Sequence, residues 1–244
     1  MKKKMIALLA GLMLTLSAGS AFAYFGTVSG NNLDLVRVVY DTAGSVEVAT
    51  DLGSVDGSGL ASASAFSLSQ FGTGKTFANL NVAYFAFDTT THSLWTTSTQ
   101  LPAGFTTGTV GSAISASGLM SGYYNSLGGS TGTVVASQSN VNSFFSQFDL
   151  GGAATGSADA VLNPATNELN LAALATAGYA DLQLYKFTIT GSGRNTAVSV
   201  ASDLVLRTNA DGTTSVQATP IPAAAWLFGS GLMGLFGLRR KARG

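Results

Sequence analysis

Across residues 24–218 the apolar positions come in short runs that alternate with polar ones, the spacing of half-buried strands. Residues 32–41 (NLDLVRVVYD) and 45–51 (SVEVATD) form the first such pair. In the second run Val46, Val48 and Thr50 share one face, and Glu47 and Ala49 take the other. The turn chemistry of residues 41–44 between them predicts a β-hairpin. Residues 79–90 (NLNVAYFAFDTT) carry Val82, Tyr84 and Ala86 on one side and Ala83, Phe85 and Phe87 on the other. A strand apolar on both faces belongs in the middle of a sheet, covered twice. Residues 92–98 can return beside it, and residues 132–138 (GTVVASQ) give another short strand. Residues 181–190 (DLQLYKFTIT) alternate again, and a Gly191-Ser192-Gly193 turn leads to 197–208, a second hairpin. Strong strands near both ends of this stretch predict one domain closed by pairing of its terminal strands.

Helical spacing is rarer. In residues 139–150, Val141, Phe144, Phe145 and Phe148 stand at i, i+3, i+4 and i+7, which predicts one apolar helical stripe. Ser139 or Asn140 can cap its start and Gly151-Gly152 can end it. Residues 169–177 fit either a short helix or a strand. The polar, small-residue stretches 104–121 and 127–132 read as loops or edge strands. No internal repeat is present. Many short strands with Gly-rich turns give the expected fold class: mainly β, an antiparallel sandwich or jelly-roll-like body with one or two short helices.

Both ends of the chain break this pattern. Residues 1–23 run from Lys2, Lys3 and Lys4 through an apolar stretch to Ala21-Phe22-Ala23, the order of a secretory signal peptide cut after Ala23. At the other end nothing charged occurs from Pro220 to Leu238, and Arg239, Arg240, Lys241 and Arg243 follow. The uncharged residues from Pro220 to Leu238, as a helix, extend about 28 Å, just enough for a hydrocarbon core, and the transmembrane helix is expected over 221–238. Pro220 and Pro222 sit where a helix start tolerates a missing N–H. Trp226 lies at interface depth, and the basic cluster fixes the far end in the cytoplasm. The expected organisation is a signal peptide (1–23), an exported body (24–218) and a C-terminal segment (219–244) with a transmembrane helix.

Charge changes the picture once these ends are set aside. The body holds five basic and twelve acidic residues, a net charge of −7, with no basic cluster to replace counterions on phosphates. That excludes nucleic-acid binding. The chain has no cysteine, which excludes thiol catalysis and thiolate metal sites, and His92 is its one histidine. Asp41, Asp51 and Asp56 are weak candidates for an oxygen-rich Ca²⁺ site, though their spacing matches no EF-hand. Asp in Gly-rich turns more often serves turn hydrogen bonds. No Walker spacing surrounds Gly72–Lys75, and no Gly-x-Ser-x-Gly elbow is present.

The closing stretch, "PIPAAAWLFGSGLMGLFGLRRKARG", resembles the PEP-CTERM sorting signal: a Pro-x-Pro tripeptide, an apolar Gly-rich span and a basic cluster, in that order. The match covers about a tenth of the chain, and Ile221 stands where the name-giving motif has an acidic residue. The resemblance implies export in a Gram-negative bacterium and anchoring in the inner membrane, with the body in the periplasm. It also implies processing by a partner exosortase near Pro220, Ile221 and Pro222, and release to the cell surface or an exopolysaccharide matrix. The expected function is a non-enzymatic surface or biofilm-matrix protein, structural or glycan-binding, without a cofactor. The alternatives are a surface-displayed carbohydrate-active hydrolase and a Ca²⁺-dependent carbohydrate-binding or adhesion module.

Overall fold

The computed structural model describes residues 25, 34–43, 45–55, 65–88, 91, 93–98, 107–128, 132–148, 168–189 and 198–217. Among the described residues there are nine strands: β1 (Asp34–Asp41), β2 (Val46–Ser54), β3 (Leu80–Asp88), β4 (Ser93–Ser98), β5 (Thr133–Ser137), β6 (Leu169–Asn170), β7 (Tyr179–Ile189), β8 (Val198–Asn209) and β9 (Thr214–Gln217). The helices are α1 (Thr107–Ser126), α2 (Phe144–Phe148) and α3 (Leu174–Ala177), with 3-10 turns at Leu68–Phe71, Phe77–Asn79 and Leu171–Ala173. The fold is mainly β, and every pairing is antiparallel. The strand order is β5-β2-β1-β3-β4-β7-β8-β9, with β6 added on β3.

Alternation along the central strands builds two cores, one on each face of the sheet. Val36, Val38 and Tyr40 of β1, Ala83, Phe85 and Phe87 of β3 and Phe187 of β7 point to one face. There they meet Val110, Ala113, Met120 and Tyr124 of α1 and Phe144 and Phe148 of α2. Leu35 and Val39, Val48, Val82 and Tyr84, Trp95, Leu182, Leu184 and Leu206 point to the other, under Phe66, Phe71, Leu171 and Leu174. The faces expected within 46–50, 82–87 and 182–189 are the faces observed, and β3 lies in the middle of the sheet.

The strands form one continuous curled sheet, where the sequence predicted two facing sheets. Helices α1 and α2 cover the face that a second sheet would have covered. The other face is concave. Arg37 of β1 donates to the Gly212 carbonyl at 2.8 Å and to Thr214 Oγ1 of β9 at 2.9 Å. Five inter-strand steps separate β1 from β9 in the sheet order. At about 4.8 Å per step a flat sheet would hold them roughly 24 Å apart. The Tyr84 hydroxyl of β3 likewise meets Thr208 Oγ1 of β8 at 2.6 Å. The expected pairing of terminal strands is therefore corrected. β1 pairs with β2 and β3, β8 with β7 and β9, and side chains rather than a ladder close the curl.

Two further expectations change. The stretch 104–121, expected to be loop or edge strand, instead supplies most of the longest helix among the described residues, Thr107–Ser126. Its buried face runs through Val110, Ala113, Ile114, Ser117, Met120, Ser121 and Tyr124, a true helical spacing. Two serines in that face and four glycines in the helix (108, 111, 118, 122) disguise it, because each glycine disfavours a helix by about 1 kcal/mol. Burial against the aromatic sheet face decides the outcome. The helix expected over 139–150 is a single turn, Phe144–Phe148, capped by Ser143, whose Oγ accepts from the Ser146 N–H at 3.0 Å. Val141, placed on its buried stripe by the spacing, is 64% exposed. Among the described residues no helix is long and apolar enough to cross a membrane. The signal peptide with Ala21 and Ala23, and the span at 221–238, lie outside them.

Candidate functional site

Pro220, Ile221, Pro222 and the basic residues Arg239, Arg240, Lys241 and Arg243 lie outside the described residues, as do Asp56 and His92. Asp41 and Asp51 are described and do not converge. Asp51 pairs with Val36, five residues along β1 from Asp41, which is about 17 Å of strand. Each carboxylate already has local work. Asp41 takes Lys75 Nζ at 2.6 Å and the Ala43 N–H at 3.0 Å. Burial pushes its pKa up, but the Lys75 ammonium and the Ala43 and Ser45 donors outweigh burial and hold it below the usual carboxylate value. Asp51 caps the Gly53 N–H at 2.7 Å, and burial raises its pKa against that bond. Among the described residues no group of three or more His, Cys, Asp or Glu could hold a metal ion. Because Asp41 and Asp51 stand apart and are each engaged locally, the D41N and D51N variants are expected to show the same change of melting temperature on adding millimolar Ca²⁺ as the parent, whereas loss of a ligand to a folded-state site would reduce it. Differential scanning calorimetry with and without chelator checks this.

Among the buried polar residues that are described, Glu47 and Arg37 each tie several elements together. The first is Glu47 of β2, fully enclosed on the α1/α2 face. Its carboxylate accepts from Tyr124 Oη at 2.8 Å, the Phe144 N–H at 3.0 Å and the Phe145 N–H at 3.1 Å. Thus one side chain ties β2 to α1 and to the first turn of α2. Burial pushes its pKa up to about 7, against the three donors that favour the charged form. Next to it in register, Tyr40 donates to Glu168, and Asn81 Nδ2 donates to both Tyr40 Oη (3.0 Å) and Glu168 Oε2 (3.2 Å). The second centre is Arg37 in the concave face. Beyond its two bonds across the curl it reaches Thr50 Oγ1 at 3.1 Å, and its guanidinium carbon stands 5.3 Å from the Phe66 ring centre. Burial lowers its pKa, though an arginine stays charged in such a site. Both centres are sealed from solvent by their own partners, so their chemistry is structural.

The surface offers a different arrangement on β7 and β8. Tyr179, Asp181 and Gln183 alternate with the buried Ala180, Leu182 and Leu184, so they face away from the concave core. Asp181 stands opposite Arg207, and Tyr179 opposite Asn209. Arg207 grips Asp181 with two parallel bonds, Nε to Oδ1 and Nη2 to Oδ2, both at 2.7 Å. Its guanidinium carbon also lies 3.7 Å from the centre of the Tyr179 ring, which is 42% exposed. Asp181 raises the Arg207 pKa further. Ser215 of β9 continues the row beyond Arg207, and Asn209 Nδ2 donates to Thr213 Oγ1 at 3.1 Å. The result is a fixed row of planar donors and acceptors beside an exposed ring, the kind of surface that can meet hydroxyl groups on a ligand. Sequence reasoning passed over it. The polar half of the 181–190 alternation was its one signal.

No protein-family model, no curated protein and no solved structure matches this chain.

Proposed function

We propose that the chain is an exported structural or binding protein of the cell surface or extracellular matrix, sorted through its C-terminal segment. The observation that carries this reading is the order of features in residues 220–243. The Pro220-Ile221-Pro222 tripeptide, the uncharged stretch to Leu238 and the basic Arg239, Arg240, Lys241 and Arg243 follow a body preceded by a signal-peptide pattern. A helix over 221–238 with a cationic far end leaves the acidic body on the outer side of the inner membrane. An exosortase-type enzyme acts near the tripeptide, and the released body joins the surface or an exopolysaccharide matrix. The last strand among the described residues, β9, ends at Gln217, three residues before Pro220. The body's contribution is to contact glycans through the outward row of Tyr179, Asp181, Arg207, Asn209 and Ser215. Their donors and acceptors suit neutral sugar hydroxyls, and the body's net negative charge disfavours a polyanionic chain.

Intact-mass analysis of the mature protein tests the reading. The expected result is an N-terminus at Tyr24 and a C-terminus close to Pro222. A mature protein that still ends in Gly244 means a permanent anchor and removes the sorting step. Changing Pro220 and Pro222 to alanine together is expected to block the C-terminal cut and retain the body in the membrane fraction.

A further inference from the structure

Phe25 stands two residues beyond the proposed cut after Ala23, and it is fully buried. Its ring enters the core under α1 and α2 and packs on Tyr124 of α1, with ring centres 5.3 Å apart and planes at 55°. The next residue of the helix holds its backbone. The Phe25 N–H donates to Asn125 Oδ1 at 3.0 Å, and Asn125 Nδ2 donates to the Phe25 carbonyl at 3.1 Å. A side-chain amide carries donor and acceptor together, as a peptide group does, so it pairs both main-chain groups of one residue as a neighbouring strand would. Turning the amide over would set its NH₂ against the N–H and its oxygen against the carbonyl, so one orientation fits.

This dock is joined to the rest of the core. The Tyr124 hydroxyl donates to Glu47 of β2 and accepts from the Phe144 N–H at 3.2 Å. Phe25 therefore packs on the same ring whose hydroxyl ties α1 to β2 and α2. At about 3.6 Å per residue, no more than about 7 Å of chain separates Phe25 from Ala23. An enzyme that reads an extended peptide pairs with its main-chain groups. A docked Phe25 has both of those groups taken and its ring enclosed. The Ala23–Tyr24 bond then cannot enter a protease cleft without drawing the ring out of the core.

Building on the signal-peptide reading, we propose that the Phe25 dock is a maturation latch: signal peptidase cuts the chain only while Phe25 is out of its site on α1, and the freed N-terminus then docks there to complete the core. The cut is a hydrolysis. Water adds across the Ala23–Tyr24 peptide bond and leaves a carboxylate on Ala23 and an ammonium on Tyr24. While the apolar run still lies in the membrane, the short reach from Ala23 to Phe25 would press the end of α1 against the bilayer. Once the chain end is free, burial of the ring drives docking. Removal of the tether therefore comes first and closure of the α1 core second.

The full-length precursor, folded in detergent and treated with purified signal peptidase, gives the test, with the cut read by intact mass. The folded parent is expected to be cut about tenfold more slowly than folded N125A or F25A, which weaken the dock. N125A keeps the sequence around the cut identical to the parent's, so its faster cleavage reports docking alone. A second measurement uses no variant. The chain beginning at Tyr24, treated with an aminopeptidase, is expected to lose no residue beyond Tyr24, because the Phe25 nitrogen is held by Asn125. Equal cleavage rates for the folded parent and N125A overturn the proposal and leave the signal peptide standing. Trimming of the parent past Phe25 overturns it as well. A precursor that is never cut after Ala23, in parent or variants, removes the signal-peptide reading itself and the latch with it.

Discussion

Replacing Gly212 by alanine is expected to destabilise the fold by about 4 kcal/mol. Gly212 sits in the β8–β9 turn at φ +82°, where an L side chain is already strained. A Cβ there would stand 2.1 Å from the Phe66 carbonyl oxygen and 2.9 Å from its nitrogen, both backbone atoms with no rotamer to change. The turn can escape only by backing away from Phe66. That movement takes the Gly212 carbonyl from its two donors, the Phe66 N–H at 3.3 Å and Arg37 Nη1 at 2.8 Å. The strain costs about 1–2 kcal/mol. The lost bond to a charged donor adds about 1.5–3 kcal/mol. Gly74 separates these two causes: it has φ +77° but nothing within 4 Å of its missing Cβ. Gly74→Ala should lose only the strain, so its urea midpoint should fall far less than that of Gly212→Ala at equal m-value. Equal losses would mean that the close approach of turn to Phe66 does not hold the curl.

That closure is the part of the fold least visible along the chain. Within 46–50, 82–87 and 182–189 each side chain could be read to its face, because the alternation assigns successive residues to opposite sides of the sheet and the apolar ones on each side join a core. What alternation does not carry is the partner that covers each face. A second sheet and a pair of helices demand the same inward residues, so the sandwich and the curled sheet share one pattern. Helix α1 was hidden for a related reason. Amphipathic helices announce themselves by charges on the outer face, and this one has none; its outer face is Gly111, Ser115, Gly118, Leu119 and Gly122. Arg37 did leave a trace. It occupies the same strand face as Leu35 and Val39, and a charge on a buried face implies a polar partner from elsewhere in the fold. Its partners come from residues 50, 212 and 214, a separation that no local pattern encodes. Tyr179, Asp181 and Arg207 belong to one row only because β7 and β8 pair in that register. The segment proposed for sorting is legible for the opposite reason: it is specified by consecutive residues and needs no tertiary partner.

Glu47 should make the stability of the body fall as the pH rises toward neutral, the reverse of the usual carboxylate effect. Its folded-state pKa is pushed up from 4.5 to about 7, chiefly by burial. Below about pH 4.5 the folded and unfolded chains both hold this proton, and its contribution is fully present. Between about 4.5 and 7 the unfolded chain releases the proton and the folded chain keeps it, so ionisation favours unfolding. Above about 7 both forms are charged and the loss levels off, at about 3 kcal/mol for a shift of this size. The Glu47→Gln variant cannot titrate, so the difference between its stability and that of the parent should change by about that amount between pH 4.5 and 7.5. Urea midpoints across that range give the measurement, and parallel curves would remove Glu47 as the titrating group. Glu47→Ala probes the other half of the arrangement. It strands the Phe144 and Phe145 N–H groups and the Tyr124 hydroxyl without an acceptor, at a cost of about 3 kcal/mol even at pH 4.5. The two variants therefore separate what the carboxylate's charge costs the fold from what its oxygens do in holding α1 and α2 against β2. A glutamine that removed the pH slope while an alanine cost nothing at low pH would assign the three donors to solvent rather than to Glu47.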